Sequence, residues 1–282
     1  MIFIFNNSNQ LCNRLWSYIP VIAEGLEKKE IVYIPFFNEY INALNKKNSH
    51  KYIKFITILS FLGRNRSEKI SNLIKSLFYN HFTKDRKCKD LYSNSKIKFI
   101  DGWKYRNSCK YIQRHAIEIR EILKFSKEIT HPVDNIFQVH KQTSDIIVGI
   151  HMRRGDYKEW LNGKYFFEID SYKRIINDTR NEFYKKGKYI KFLLCTNEPF
   201  NIEEFKDYDC FIIPHTSLYK DLYALSLCDY IIGPPSSYSQ FASFMGEVPL
   251  KLVKDKNEQI CLKDFSRTIT LDIFENGNIL VV

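Results

Sequence analysis

The spacing of apolar residues changes repeatedly along the chain between a strand period and a helix period. Ile2 to Phe5 is a short continuous apolar run bounded by Asn6-Asn7-Ser8-Asn9, and it predicts a first strand. From Gln10 to Glu30 the residues Leu11, Leu15, Tyr18, Ile19 and Leu26 recur at helical spacing, and Ile31-Val32-Tyr33-Ile34 then reads as a strand again. Residues 40 to 130 are less periodic, with basic helical stretches between short apolar runs such as Ile97-Lys98-Phe99-Ile100. A second rhythm starts after Asp145: Ile146-Ile147-Val148-Gly149-Ile150 is a buried-strand run, followed by a helical stretch from about Asp170 to Lys186. Strands at Tyr189 to Cys195, Cys210 to Ile213 and Tyr230 to Ile232 follow, separated by helical segments near Ile202 to Phe205 and Ser217 to Leu227. Such alternation predicts an α/β fold with parallel sheets covered on both faces. The polar, proline-containing stretch from His131 to Ser144 predicts the join between an N-terminal lobe, 1–140, and a C-terminal lobe, 141–282.

Composition narrows the class. With 282 residues, 44% hydrophobic and 27% charged, the chain suits two globular lobes rather than a disordered or fibrous protein. The apolar start is too short for a secretory core, and no run approaches the roughly 20 residues that span a bilayer, so a cytoplasmic protein, at most peripheral to the membrane, is expected. Seven scattered cysteines without a C-x-x-C pattern read as free thiols. The net charge of +11 is concentrated: residues 46 to 127 hold 21 Lys and Arg against 6 Asp and Glu. That half could face nucleic acid, an anionic membrane or an acidic glycan, or be a soluble lysine-rich surface.

Two constellations carry chemistry. His151-Met152-Arg153-Arg154-Gly155-Asp156-Tyr157 follows the strongest strand of the second half, where ligands bind in open parallel sheets. Two adjacent guanidiniums there can clamp a diphosphate and neutralise a leaving nucleotide in place of a metal, with Asp156 orienting one of them. As a surface loop, the same pair would only be bonded to Asp156. Gly233-Pro234-Pro235-Ser236-Ser237-Tyr238-Ser239-Gln240 is a strand-turn-helix segment: Ser236 or Ser237 suits the N-cap, and the helix start offers N–H groups to phosphate or is merely capped. Asp221, near the start of the helix packed behind that turn, can accept hydrogen bonds from a base or simply favour the helix dipole, and Thr196-Asn197-Glu198, after another strand, is a further strand-end loop facing the same rim.

These segments resemble the donor-site motifs of bacterial α1,2-fucosyltransferases and, more loosely, of α1,6-, nodulation and protein O-fucosyltransferases. The resemblance covers roughly Ile146 to Gly246, and Asn9-Gln10-Leu11-Cys12-Asn13-Arg14-Leu15 is similar to the family's first loop and helix, although the glycines usual in that loop are replaced by Asn6-Asn7-Ser8-Asn9. It implies a GT-B-like fold, two Rossmann-like lobes around a central cleft, and an inverting glycosyltransferase that moves fucose from GDP-fucose to a glycan hydroxyl without a metal or other cofactor, α1,2 favoured over α1,6. It further implies that Arg153 and Arg154 bind the diphosphate, that His151 and Asp221 lie near the nucleoside, that Ser236, Ser237, Ser239 and Thr196 complete the donor site, and that Asn9, Asn13 and Arg14 face the acceptor. Asp156 and Glu159 are the nearest carboxylates for the catalytic base. The acceptor expected from the charge asymmetry is anionic or lipid-linked, as in surface polysaccharide synthesis. Three rivals stand beside this reading: a different nucleotide-sugar donor, a nucleic-acid-binding protein using the basic region, and a metal site at Asp207-Tyr208-Asp209, which precedes its strand and so sits away from the rim.

Overall fold

The computed structural model describes residues 1–4, 10–37, 40–45, 50–56, 97–105 and 110–268, with a few isolated helical positions between 66 and 76. The chain divides into two compact units, Met1–Ser126 and Lys127–Val282. In the first, a parallel sheet has the order β3-β2-β1-β4, with β1 at Ile2–Ile4, β2 at Val32–Ile34, β3 at Ile53–Phe55 and β4 at Lys98–Ile100. Helix α1, Leu11–Lys28, is buried on nearly all sides, so its apolar residues recur more densely than one stripe requires. A short helix α2, Gly102–Tyr105, meets it so closely that a Cβ on Gly102 would lie 2.7 Å from the Ser17 carbonyl oxygen. Helix α3, Ala116–Ile122, precedes a bridge between Phe125 and Leu44 that closes this unit.

The second unit is built on a six-stranded sheet of order β10-β9-β8-β5-β6-β7. Its strands are β5 (Ile146–Met152), β6 (Ile190–Thr196), β7 (Cys210–Phe211), β8 (Tyr230–Gly233), β9 (Pro249–Leu252) and β10 (Ser266–Arg267), and only β10 is antiparallel. Helices α4 (Lys127–Lys141), α5 (Ile169–Tyr184), α6 (Leu218–Ser226) and α7 (Ser237–Gly246) accompany it. Successive side chains of β5 point to opposite faces. Val148, Ile150 and Met152 join the core with Tyr172, Ile175, Ile176 and Phe183 of α5. Gly149 and His151 face the other way, and a Cβ on Gly149 would lie 2.5 Å from Leu225 of α6. The chain runs β5, β6, β7 towards one edge and then crosses back to lay β8 on the other side of β5. The sheet therefore has its topological switch between β5 and β8, the place where open α/β sheets accept ligands.

The boundary between the units falls at Ser126 and Lys127, not within 131–144 as expected from the sequence. The polar stretch is helix α4, and Pro132 is accommodated in its early turns. Val133 and Phe137 of α4 are buried, and Asp134 accepts a 2.8 Å hydrogen bond from Tyr223 of α6, so the helix is tied to the second sheet. The strand expected at Cys210 to Ile213 ends at Phe211, with Ile212 exposed. Among the described residues no helix is long and apolar enough to cross a membrane.

Candidate functional site

Parallel pairing brings the carboxyl ends of β5, β6 and β8 side by side, since His151 is in register with Cys195, Met152 with Thr196 and Ile150 with Ile232. Gly233 comes so close to β5 that a Cβ there would sit 2.7 Å from the His151 carbonyl oxygen. The arginine loop, the Thr196-Asn197-Glu198 loop and the Gly233–Ser237 turn thus form one rim.

Within the loop the two arginines are held differently. Arg153 donates from Nη2 to Asp156 at 2.8 Å, and its Cζ lies 5.6 Å from the centre of the Tyr157 ring. That carboxylate is half exposed, so an incoming anion can compete for the guanidinium. Arg154 is clamped by the protein itself: Nε donates to Glu198 at 2.6 Å, Nη1 donates to the Phe167 carbonyl at 2.9 Å and to Glu168 at 3.4 Å, and Cζ stands 4.8 Å from the Phe166 ring centre. None of these three hydrogen bonds uses Nη2. Arg154 is therefore a fixed charge with one edge left for a ligand, and Arg153 is the exchangeable partner.

Asn197 positions the loop. Its Oδ1 accepts from the Arg154 backbone N–H at 2.8 Å and its Nδ2 donates to Asp156 at 3.1 Å. Gly155 serves this contact, because a Cβ there would meet Asn197 Nδ2 at 2.8 Å; the close approach expected for a ligand is to a side chain of the protein. Asp156 is thus occupied by two donors. Glu159 is exposed in the next turn. Thr196 accepts a 3.4 Å hydrogen bond from the Glu198 backbone N–H, which shapes the neighbouring loop.

Tyr157 joins the two constellations, its hydroxyl donating 2.6 Å to the Pro235 carbonyl, and burial pushes that phenol up to about 12. Ser236 is the N-cap of α7 and accepts from the Tyr238 backbone N–H at 3.2 Å, while Ser237 is its first helical residue. Ser239 is fully buried and donates to the Ser236 carbonyl at 3.2 Å, so its hydroxyl serves the helix turn. His151 is buried, 5.0 Å from the Tyr238 ring, with Nδ1 lacking a hydrogen-bond partner. Burial and then the charge of Arg153 pull it down to about 3, so it is neutral at physiological pH. Asp221 is buried in the first turn of α6; burial pushes its carboxyl up to about 6, against the hydrogen bond it accepts from Thr216. The Cys195 thiol lies 3.9 Å from the Asp221 carbonyl, which places that helix start directly behind the end of β6.

The sequence reading left three contributors without a role. Glu168 pairs with Arg154, Tyr172 is fully buried with its hydroxyl unpaired, and the Gln240 amide on α7 is fully buried with neither polar atom bonded. Tyr172 fits an ordinary apolar stripe, so no signal marked it; a glutamine amid apolar helix positions was a visible cue. In the first unit, Asn13 and Arg14 lie on α1. Arg14 is buried, bonded to the Phe36 carbonyl at 3.4 Å and 5.0 Å from the Tyr40 ring centre, an interior support of that unit. Asn9 and the Asn6–Asn9 loop lie outside the described residues. Asp209 accepts from the Tyr189 hydroxyl at 2.9 Å at the amino end of β7, the opposite end of the parallel strands from the arginine loop. Among the described residues no group of three or more His, Cys, Asp or Glu is placed to hold a metal ion.

No protein-family model matches the chain, and comparison with curated proteins finds no match. Solved structures do match. The α1,6-fucosyltransferase NodZ, described from Bradyrhizobium and soaked with GDP-fucose, aligns over 92% of this chain and 97% of its own at TM-score 0.56 and 16% identity. POFUT1 in complex with GDP-fucose aligns over 88% and 93% at TM-score 0.52 and 10% identity. A variant of FUT1 from Arabidopsis thaliana, in complex with GDP, aligns over 94% of this chain and 72% of its own at TM-score 0.53 and 11% identity. The chain has the fold of these fucosyltransferases. It is an α/β, GT-B-like fold with parallel sheets.

Proposed function

We propose that the chain is an inverting, metal-independent glycosyltransferase that moves L-fucose from GDP-fucose to a glycan hydroxyl, α1,2 in preference to α1,6. The observation that carries the proposal is the paired guanidiniums of Arg153 and Arg154 at the switch between β5 and β8, beside the capped start of α7. The fold likeness to proteins solved with GDP and GDP-fucose supports it.

In this reading Arg153 exchanges Asp156 for the diphosphate, and Arg154 offers its remaining edge from a position fixed by Glu198. The N–H groups at the start of α7 add a positive dipole end. His151 is neutral near pH 7, with one ring N–H rather than the two of an imidazolium, so it contributes shape and a neutral hydrogen-bonding ring beside the nucleoside, with the raised Asp221 carboxyl behind it. Charge that develops on the leaving GDP is neutralised by fixed donors rather than by proton transfer. Once Arg153 has moved to the diphosphate, Asp156 keeps only its hydrogen bond from Asn197, so Asp156 and the exposed Glu159 are the two candidate carboxylates to take the acceptor proton.

Calorimetry in EDTA with GDP-fucose, GDP-mannose, GDP, UDP and CDP tests this. Selective guanine-nucleotide binding is expected, weakened by about 2–5 kcal/mol in Arg153→Ala, the cost of removing one partner of a buried charged pair. Arg154→Ala is expected to lose binding and also stability, because Glu198 then loses its partner. The absence of guanine-nucleotide binding, or binding only with added Mn²⁺, rules the proposal out; equal binding of GDP-mannose and GDP-fucose moves the donor to another sugar.

A further inference from the structure

We infer that the turn after the arginine loop is an acceptor-sugar subsite in which the Trp160 indole is a platform for one face of a pyranose ring. The inference rests on the glycosyltransferase reading above. Trp160 is 39% exposed, in contrast to the fully buried Trp16. Its ring centre lies 4.7 Å from that of Tyr157 at 35° and 6.0 Å from that of Tyr165 at 38°. Both phenols are buried, so the indole is backed by fixed rings and cannot fold away.

The backbone presents this platform by an unusual route. Leu161, Asn162 and Gly163 are consecutively left-handed, with φ of 50°, 55° and 73°. Only glycine takes that conformation freely, and a leucine there is strained, a condition that clusters where a segment is held in place for binding. The result is that Glu159, Trp160 and Asn162 are all exposed on one turn. A sugar ring offers an apolar C–H face rimmed by hydroxyls. An indole flanked by a carboxylate and an amide is the matching set, an apolar surface with a few polar groups that fix orientation.

Position supports the same ligand. Tyr157, which backs the indole, is the last residue of the arginine loop and is anchored to Pro235 of the opposite turn. A ring held on Trp160 is therefore beside the site where a donor sugar would hang from the diphosphate. A bilayer is a poorer match for the turn. The two lysines that flank it place their ammonium groups over rings of the protein, Lys158 at 5.4 Å from Phe166 and Lys164 at 5.3 Å from Tyr165. Two exposed carboxylates, Asp156 and Glu159, would meet any anionic headgroups.

The test uses the full chain, Trp160→Ala and Trp160→Phe. Each is applied with saturating GDP to a printed array of neutral and acidic oligosaccharides, and GDP binding is measured by calorimetry. The expected result is saccharide binding by the wild type that falls about tenfold or more in Trp160→Ala, with partial retention in Trp160→Phe and unchanged GDP affinity. Where an array hit also accepts fucose, its KM should rise with little change in kcat, the signature of a lost binding contact. Equal saccharide binding by wild type and Trp160→Ala, or no saccharide binding by either, overturns the subsite while GDP binding still stands. Flotation with anionic phosphatidylserine vesicles that is lost in Trp160→Ala would overturn it in favour of a membrane contact. A wild type that binds no GDP fails the parent reading, and the array alone then decides whether Trp160 holds a sugar.

Discussion

His151 and Asp221 are both buried at the rim, and burial moves their proton affinities in opposite senses. His151 titrates near 3 in the folded chain against about 6.5 when unfolded. A depressed base gives stability that is complete above the unfolded value and is lost on acidification towards the folded one, because only the unfolded chain takes the proton. Asp221 titrates near 6 against a usual 3.8. Between those values the folded chain takes the proton first, so acidification from above 6 towards 3.8 adds stability. Between pH 7 and pH 5 the histidine should cost about 2 kcal/mol and the carboxyl return about 1 kcal/mol. Urea unfolding at the two pH values, compared with His151→Phe and Asp221→Asn, checks this. Relative to wild type, the histidine variant should lose less stability on acidification and the aspartate variant should lose more. Parallel pH profiles for all three would show that neither side chain is buried as described.

At the scale of elements, the site depends on how closely β8 approaches β5. A Cβ at Gly233 would meet the His151 carbonyl oxygen, a backbone atom that cannot swing aside. Gly233→Ala should therefore destabilise the chain by about 1–3 kcal/mol, as overpacking does, and weaken GDP binding by displacing the Pro235–Ser236 turn from the arginine loop. An alanine variant with wild-type unfolding and GDP affinity would mean that the strands separate without consequence. This closeness was not legible in the sequence, although much else was. β1, α1, β2, β5, β6, β8 and α5 announce themselves because their period is set by local burial on one or two faces. The strands β3, β9 and β10 lack the continuous apolar run that marks β1 or β8: Lys54 interrupts β3, β9 opens on Pro249 and carries Lys251, and β10 is only Ser266–Arg267. Helix α4 hid behind Pro132 and a polar composition, since only Val133 and Phe137 are buried. The arginine loop was readable as a motif, but its wiring was not: which arginine is clamped is decided by Glu198, in the loop after β6, and Phe167, just before α5, and local spacing holds no record of them.

For the whole molecule the charge distribution sets a prediction that no single contact can. Of 43 Lys and Arg, 21 fall in residues 46 to 127, where only 6 of the 32 acidic residues lie. Much of that segment is outside the described residues, so the argument is one of net field. A region this basic raises the local concentration of an anionic acceptor and speeds its encounter, an effect that salt removes once the Debye length, about 10 Å at 0.1 M, falls below the spacing of the charges involved. Transfer from GDP-fucose to an acidic or lipid-linked glycan should then show a KM that climbs steeply between roughly 0.05 M and 0.5 M NaCl. Transfer to a neutral soluble sugar and binding of free GDP should change far less, because the arginines proposed to hold the diphosphate are largely buried and so screened less. Initial rates at several salt concentrations with both acceptors separate the cases. Matching salt dependence for neutral and anionic acceptors would make the basic segment a solubilising surface. Loss of activity on the anionic acceptor alone would mark the basic segment as its docking face.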